Sequence, residues 1–176
     1  MAVILLLGFS SGLPLGLTGG SLQAWMTDEK VDLTLIGIFS LTGLPYTFKF
    51  LWAPFVDLFS APAFFGRLGR RRGWMLFFQL LLIIMIVGMA FTPPAAMPWM
   101  MAFFAVMVAF SSASQDIVVD AFRAESLPAS ELGAGTGVGI TGYRIAMIVS
   151  GALALILADQ LPWSTVYLIM AASVGI

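Results

Sequence analysis

The chain has 176 residues, of which 60% are hydrophobic and 10% are charged, and its formal net charge is −1. Soluble domains carry about 25% charged residues, so this composition excludes an ordinary soluble domain and predicts a chain surrounded mainly by lipid. Cysteine and histidine are both absent, which excludes a disulfide framework, a Cys/His metal site and an imidazole proton carrier. We therefore predict no cofactor, no metal and no nucleic-acid partner, and any proton chemistry falls to carboxylates.

Apolar runs of about 20 residues, long enough to cross a bilayer, recur along the chain. In chain order they cover about 2–26, 33–56, 73–91, 98–122 and 132–158, and a sixth begins near Leu161. No basic residue precedes the first run, so we interpret it as a membrane helix rather than a signal peptide. The sequence thus predicts an all-α membrane protein with five full transmembrane helices and part of a sixth.

The basic residues predict the orientation in the membrane. The connection between the second and third spans holds several arginines, whereas the first connection holds only Lys30 and the fourth only Arg123. Basic connections stay on the cytoplasmic side. We therefore expect the N-terminus and loops 57–73 and 123–132 to be cytoplasmic, and the connection 27–32 to be periplasmic.

Charged residues inside the predicted spans are the main candidates for function. A charge in the hydrocarbon is costly, so it marks a functional site by default. The residues that qualify are Lys49, Asp116, Asp120 and Arg144. By helix rise, Lys49 and Arg144 lie at depths comparable to that of Asp116, so either cation could pair with it.

Asp116 and Asp120 share one helix face with Ser112 and Arg123, because these positions follow i, i+4, i+8 and i+11 spacing. Gln115 lies beside this face. Such a face must meet protein or a water-filled cavity. We predict that Asp116 and Asp120 couple transport to protons, because they are the only acids inside the predicted spans. An ion pair that only locks helices together stays an alternative.

Polar and basic side chains near this face are predicted to bind a substrate through charge and hydrogen bonds. They are Lys49, Tyr143, Arg144, Gln115 and Gln23. For Lys49 and Arg123 an interfacial role is the alternative, because a long side chain can extend toward the headgroups.

Small residues and a proline indicate where helices bend or pack closely. The first span contains "GLPLGLTGGS", and its Pro14 and glycines predict an irregular helix that lines a cavity. The fifth span has two GxxxG pairs, which favour close packing against a neighbouring helix. The pairs are Gly133/Gly137 and Gly135/Gly139.

The connection between the second and third spans reads "DLFSAPAFFGRLGRRRGW". An acid is followed there by a basic motif, Asp57 and then Arg67-x-Gly69-Arg70-Arg71-Arg72. This resembles the signature loop of the major facilitator superfamily, with the departure that nine residues are inserted between Asp57 and Arg67. The resemblance implies the N-terminal half of such a transporter, with an inverted 3+3 helix repeat and a loop that latches two bundles. The tripeptide "FSS", at 9–11 and again at 110–112, fits this repeat of the first span in the fourth.

A closer resemblance covers nearly the whole chain. The segments "GFSSGLPLGLTGGSLQAWM", "FKFLWAPFVD", "SASQDIVVDAF" and "GYRIAMIVSGALAL" resemble the AmpG-type muropeptide permeases of the same superfamily. The resemblance implies that residues 1–176 form the N-terminal bundle of a transporter with 12 or more helices, partnered by a C-terminal helix bundle. It also implies proton-driven import of anhydromuropeptides across the bacterial inner membrane, for peptidoglycan recycling and β-lactamase induction signalling.

Other functions stay open at this point. One is a related permease for another solute, such as acetyl-CoA or peptides. A second is a membrane-embedded enzyme that uses the Asp-x-x-x-Asp pair, which the lack of histidine disfavours, so we do not expect an enzyme. A third is a receptor or assembly subunit that would tolerate loss of both acids. A lone half-bundle would expose its cavity face to lipid, so we expect poor stability without the partner bundle.

Overall fold

The structure is a computed structural model that describes residues 1–175, apart from the side chains of residues 63 and 64. Its helical segments are α1 (Ala2–Asp28), α2 (Leu33–Leu51), α3 (Ala53–Leu58), α4 (Arg70–Ala90), α5 (Pro98–Ser126), α6 (Leu132–Ala158) and α7 (Trp163–Val174). Within residues 1–175, five of these are long and apolar enough to cross a membrane: α1, α2, α4, α5 and α6. The predicted all-α membrane fold is confirmed.

The second predicted span is interrupted. Asp32 caps the start of α2, where its side chain accepts a hydrogen bond from the Thr34 backbone at 2.9 Å, and this contact lowers the pKa of Asp32. Beyond Lys49–Leu51, a 3₁₀ turn, the chain breaks at Trp52 and resumes as α3. Pro54 lies in the first turn of α3, where a residue without an N–H group is tolerated.

The first span bends where the sequence predicts an irregular helix. A π-helical turn covers Leu17–Ser21, and Gly19 leaves the helical conformation with φ −96° and ψ −108°. Two hydrogen bonds join this turn to neighbouring helices: the Tyr167 hydroxyl of α7 donates to the Leu17 carbonyl at 2.8 Å, and the Ser21 hydroxyl donates to the carbonyl of Ser150 on α6. Leu17, Thr18 and Ser21 are buried, whereas Gly20 is exposed and an added side-chain carbon at Gly19 or Gly20 would meet no atom within 4 Å. The predicted irregular helix is present, and its place beside a cavity stays a prediction.

A seam of small residues joins α1 to α6. A side-chain carbon added to Gly8 would collide with the Gly139 backbone, and one added to Gly12 would collide with the Tyr143 backbone. Such close backbone approach is the usual role of small residues between membrane helices. By contrast, Gly137 has no heavy atom within 4 Å of the added carbon, so only one of the predicted GxxxG pairs lies at the seam.

The main apolar core forms where α4 packs against α5 and α7, with α1 beside them. Its fully buried side chains include Leu13, Leu82, Met101 and Met170. By comparison, α2 lies at the edge of the bundle and exposes large apolar side chains such as Leu41 and Phe50. The polar residues of α5 lie beyond this core, where α1, α2 and α6 approach them.

Candidate functional site

Asp116 on α5 forms an ion pair with Lys49 on α2. The Lys49 Nζ and the Asp116 Oδ2 lie 3.8 Å apart, and the two side chains are 36% and 16% exposed. This distance is too long for a direct hydrogen bond, so the two groups interact through charge alone. Of the two cations that the sequence offered as partners for Asp116, the structure selects Lys49.

Several polar atoms around this pair are buried without a hydrogen-bond partner. They are Asp116 Oδ1, the Ser11 hydroxyl of α1 and the Tyr46 hydroxyl of α2. Ser11 lies beside Asp116, and the polar neighbours of Tyr46 are Ser112, Asp116 and Tyr143. Because buried polar atoms are nearly always bonded to protein or to ordered water, this group indicates a place for water or for a polar group of a ligand.

A cavity of about 320 Å³ opens between α1, α5 and α6 beside Asp116. Its lining extends from Ser11 and Tyr143 to Asp120 and Arg123, toward the end of the bundle that the sequence predicts to be cytoplasmic. A water molecule occupies about 30 Å³ in the liquid, so a cavity of this size admits several waters. Water can therefore reach Asp116 from that end.

Asp120 and Arg123 pair with each other at the mouth of the cavity. The Arg123 Nη2 and the Asp120 Oδ1 are 2.6 Å apart, and the Asp120 side chain is 57% exposed. The predicted polar face of α5 is thus present, and its deepest member, Ser112, donates to the Ser11 carbonyl at 3.4 Å. The two "FSS" segments therefore meet where α1 crosses α5.

The remaining predicted substrate residues do not converge on this pair, apart from Tyr143, which lines the cavity. Arg144 is exposed on α6, and within residues 1–175 it forms no salt bridge. Gln115 is buried and donates to the side chain of Gln79. Gln23 lies twelve residues beyond Ser11 along α1, a separation of about 18 Å by helix rise. Their roles in binding stay predictions.

Sequence reasoning missed Tyr46, Ser11 and Gln79. Tyr46 lies three residues before Lys49, so it shares a helix face with a residue already identified, and that spacing could have revealed it. Gln79 is an isolated polar residue in the apolar third span, which was also a usable signal. Ser11 lies in the repeated "FSS" segment, but no periodicity points to it.

The signature loop forms an ion-pair network around Arg71. Arg71 contacts Asp57 at the end of α3 at 2.5 Å and Glu125 at the end of α5 at 2.7 Å. The inserted residues lead into a 3₁₀ helix, Ala63–Leu68, that packs against α4, and Gly69 follows it with a φ of +89° that favours glycine. Asp57 therefore reaches the basic motif despite the insertion.

Among the residues that the structure describes, no three or more acidic side chains lie together in a group that could hold a metal ion. The site therefore consists of an ion pair, unpartnered hydroxyls and a cavity, which is an arrangement suited to binding and proton exchange.

Comparison with known proteins places this chain in a family of transporters. The protein is 54% identical over 172 residues to the anhydromuropeptide permease of Escherichia coli K12. The aligned region covers 97% of this chain and 34% of that permease. The permease of E. coli O157:H7 matches equally, and a Haemophilus influenzae protein without a stated function is 44% identical over 96% of the chain. The chain spans about a third of the length of the curated relatives it matches. These relatives confirm the resemblance to muropeptide permeases and show a multi-pass membrane protein of the transporter class. The model of the family described as acetyl-coenzyme A transporter 1 matches residues 1–94, more than half of the chain, and the chain therefore belongs to that family.

Proposed function

We propose that this chain is the N-terminal bundle of a proton-coupled permease that imports anhydromuropeptides across the bacterial inner membrane. The observation that carries the proposal is its 54% identity, over 97% of the chain, to a protein named anhydromuropeptide permease. In this account residues 1–176 pack against a C-terminal helix bundle, and loop 57–73 lies on the cytoplasmic side. The imported anhydromuropeptides would enter peptidoglycan recycling and serve β-lactamase induction signalling. The protein would act as a transporter and not as an enzyme.

The chemistry of the site suits such a substrate. A muropeptide presents carboxylates, sugar hydroxyls and amides. Lys49 offers a positive charge that is one-third exposed, and Tyr143 offers a hydroxyl at the cavity. Arg144 is exposed on α6, and because a charge inside the membrane must face protein or water, we place it toward the substrate or the second bundle.

Proton coupling falls to Asp116. It lies inside the bundle, pairs with a lysine and lines a cavity that water can enter. Intramembrane acids in transporters mark proton pathways. Asp120 is half-exposed and paired with Arg123, so it acts as the exchange point between Asp116 and cytoplasmic water.

A second candidate substrate comes from the family model, which is described as an acetyl-coenzyme A transporter. Coenzyme A carries several phosphate charges, so its binding would need a cluster of free cations. Near the cavity, Lys49 faces Asp116 and Arg123 faces Asp120. Of these two cations and Arg144, Arg144 alone has no acidic partner among the described residues. The balance of charge favours a substrate with fewer negative groups.

The experiment that tests the proposal is uptake into right-side-out membrane vesicles that contain the full-length protein. A labelled GlcNAc–anhydroMurNAc tripeptide should accumulate when an inward proton gradient is imposed, and a protonophore should abolish the accumulation. Labelled acetyl-CoA, tested in parallel, should not accumulate. Accumulation of acetyl-CoA in place of the tripeptide would assign the second substrate, and accumulation of neither would reject a permease for these solutes.

A further inference from the structure

We propose that Lys49 couples substrate to protons by exchanging partners: a carboxylate of the substrate takes the ammonium group from Asp116, and Asp116 then accepts a proton and bonds to the hydroxyls of Ser11 and Tyr46. This inference rests on the proposed function, because it assumes that the site binds an anionic substrate and that Asp116 carries the proton. It adds the step by which binding of one is linked to binding of the other.

The ion pair is built to be exchanged. Its atoms lie 3.8 Å apart, with no direct hydrogen bond, and the Lys49 side chain is 36% exposed. Lys49 also starts a short 3₁₀ turn at the break between α2 and α3, so its backbone is not held in a long regular helix. An ammonium group on a four-carbon stem can therefore turn toward a substrate carboxylate while the helices stay in place.

The hydroxyls supply what Asp116 needs once Lys49 leaves. An ionised carboxylate that loses its partner inside a bundle is strongly destabilised. A protonated carboxyl group instead donates one hydrogen bond and accepts others. Ser11 and Tyr46 hold two buried hydroxyls near Asp116. The Ser11 hydroxyl lies close to the Asp116 carboxylate and the Tyr46 hydroxyl lies close to Ser112, but neither completes a well-aligned hydrogen bond while the ion pair is formed. They can bond to the neutral carboxyl group directly or through one water.

Lys49 determines the net charge next to Asp116, because the other groups around this carboxylate are uncharged or paired with each other. Among the described residues, α1 contributes Ser11 but no ionisable side chain to the site, and α6 contributes Tyr143. On α5, Asp120 and Arg123 neutralise each other at 2.6 Å. Movement of Lys49 therefore changes the net charge next to Asp116 by a full unit, and an adjacent cation favours the ionised form of a carboxylate.

The exchange is balanced. As the substrate carboxylate forms its contact with Lys49, the contact between Lys49 and Asp116 breaks, and one proton moves from water in the cavity to Asp116. Release of the substrate returns Lys49 to Asp116 and frees the proton. By linkage, substrate and proton then strengthen each other's binding by the same factor.

The test measures proton uptake when the GlcNAc–anhydroMurNAc tripeptide binds to the purified full-length protein in nanodiscs. Calorimetry in buffers of different ionisation enthalpy counts the protons. The wild type should take up about one proton per substrate bound.

Lys49→Gln should lose this uptake and bind the tripeptide about tenfold to a hundredfold more weakly, because the charged contact is gone. Asp116→Asn should bind without proton uptake, and more tightly than the wild type at alkaline pH, because Lys49 is already free. Tyr46→Phe should reduce the uptake, and Lys30→Gln, which removes a cation from the exposed first connection, should retain it.

A second measurement needs no substrate. Infrared difference spectra recorded during a pH titration report the carboxyl group of Asp116, identified by its loss in Asp116→Asn. In Lys49→Gln this band should persist to higher pH than in the wild type. Proton uptake that is unchanged in Lys49→Gln, or a band that titrates as in the wild type, would overturn the exchange. If the wild type binds no tripeptide, the proposed function fails, and the infrared result still decides the role of Lys49.

Discussion

Asp116 and Lys49 neutralise each other's charge in a polar part of a bundle that is otherwise mainly apolar. Both side chains are partly buried, 16% and 36% exposed, so loss of either partner leaves a charge in a poorly solvated environment. Removing one partner of a fully buried ion pair lowers the free energy of unfolding by several kcal/mol, whereas removing one partner of an exposed pair changes it very little. Because this pair is partly exposed, we expect a loss of free energy of unfolding between these two limits.

A double-mutant cycle on the full-length protein measures that interaction. Lys49→Gln and Asp116→Asn should each lower the free energy of unfolding by about 1–2 kcal/mol. The double variant should recover part of the loss, because neither charge is then left without a partner. The free energy of unfolding in detergent, from thermal or denaturant melts, checks this. Losses that simply add would show that the two charges do not interact.

Close packing of α1 on α6 depends on particular glycines. Gly12→Ala should lower the free energy of unfolding by about 1–3 kcal/mol, because the new methyl group meets the backbone of Tyr143, which cannot move aside. Gly137→Ala is the matched control: its carbon meets nothing within 4 Å, and alanine is the better helix former, so stability should stay the same or rise. Melting temperatures of the two variants test this. Equal changes in melting temperature would contradict close packing of α1 on α6 at Gly12.

The Arg71 network joins the ends of α3, α4 and α5. Arg71→Gln removes its contacts to Asp57 and Glu125 together, and we expect a loss of about 1 kcal/mol because both acids are close to half-exposed. Arg72→Gln is the control, because Arg72 is exposed and makes no salt bridge among the described residues. Denaturant midpoints compare the two, and a larger loss for Arg72→Gln would refute the network.

The helices were largely predictable from hydrophobicity because bilayer thickness fixes their length. The run predicted at 132–158 matches α6, and the run at 2–26 falls two residues short of the end of α1. The break at Trp52 was missed, although Pro54 inside the predicted span was a usable signal, because a proline in an apolar run indicates either a kink or a new helix start. The partner of Asp116 was also undetermined, because helix rise gives depth, whereas the direction of a side chain depends on how α2, α5 and α6 pack.

Import from the periplasm, with the N-terminus in the cytoplasm, requires the signature loop of the bundle to lie in the cytoplasm. The chain has no native cysteine, so single cysteines report topology without background. Lys30→Cys should react with an impermeant maleimide added to intact spheroplasts, and Arg70→Cys should react only after the membrane is opened. This follows from the excess of arginine in loop 57–73. Labelling of position 70 in intact spheroplasts would reverse the proposed orientation.

Coupling of transport to the proton gradient by Asp116 is tested most directly by flux measurements on Asp116→Asn in the full-length protein. The variant should lose accumulation of the labelled GlcNAc–anhydroMurNAc tripeptide against a gradient while it retains exchange of internal for external tripeptide, because binding survives and only the proton step is lost. Asp120→Asn is the control, and we expect a milder defect because that acid is 57% exposed. Accumulation at the wild-type level by Asp116→Asn would contradict the account.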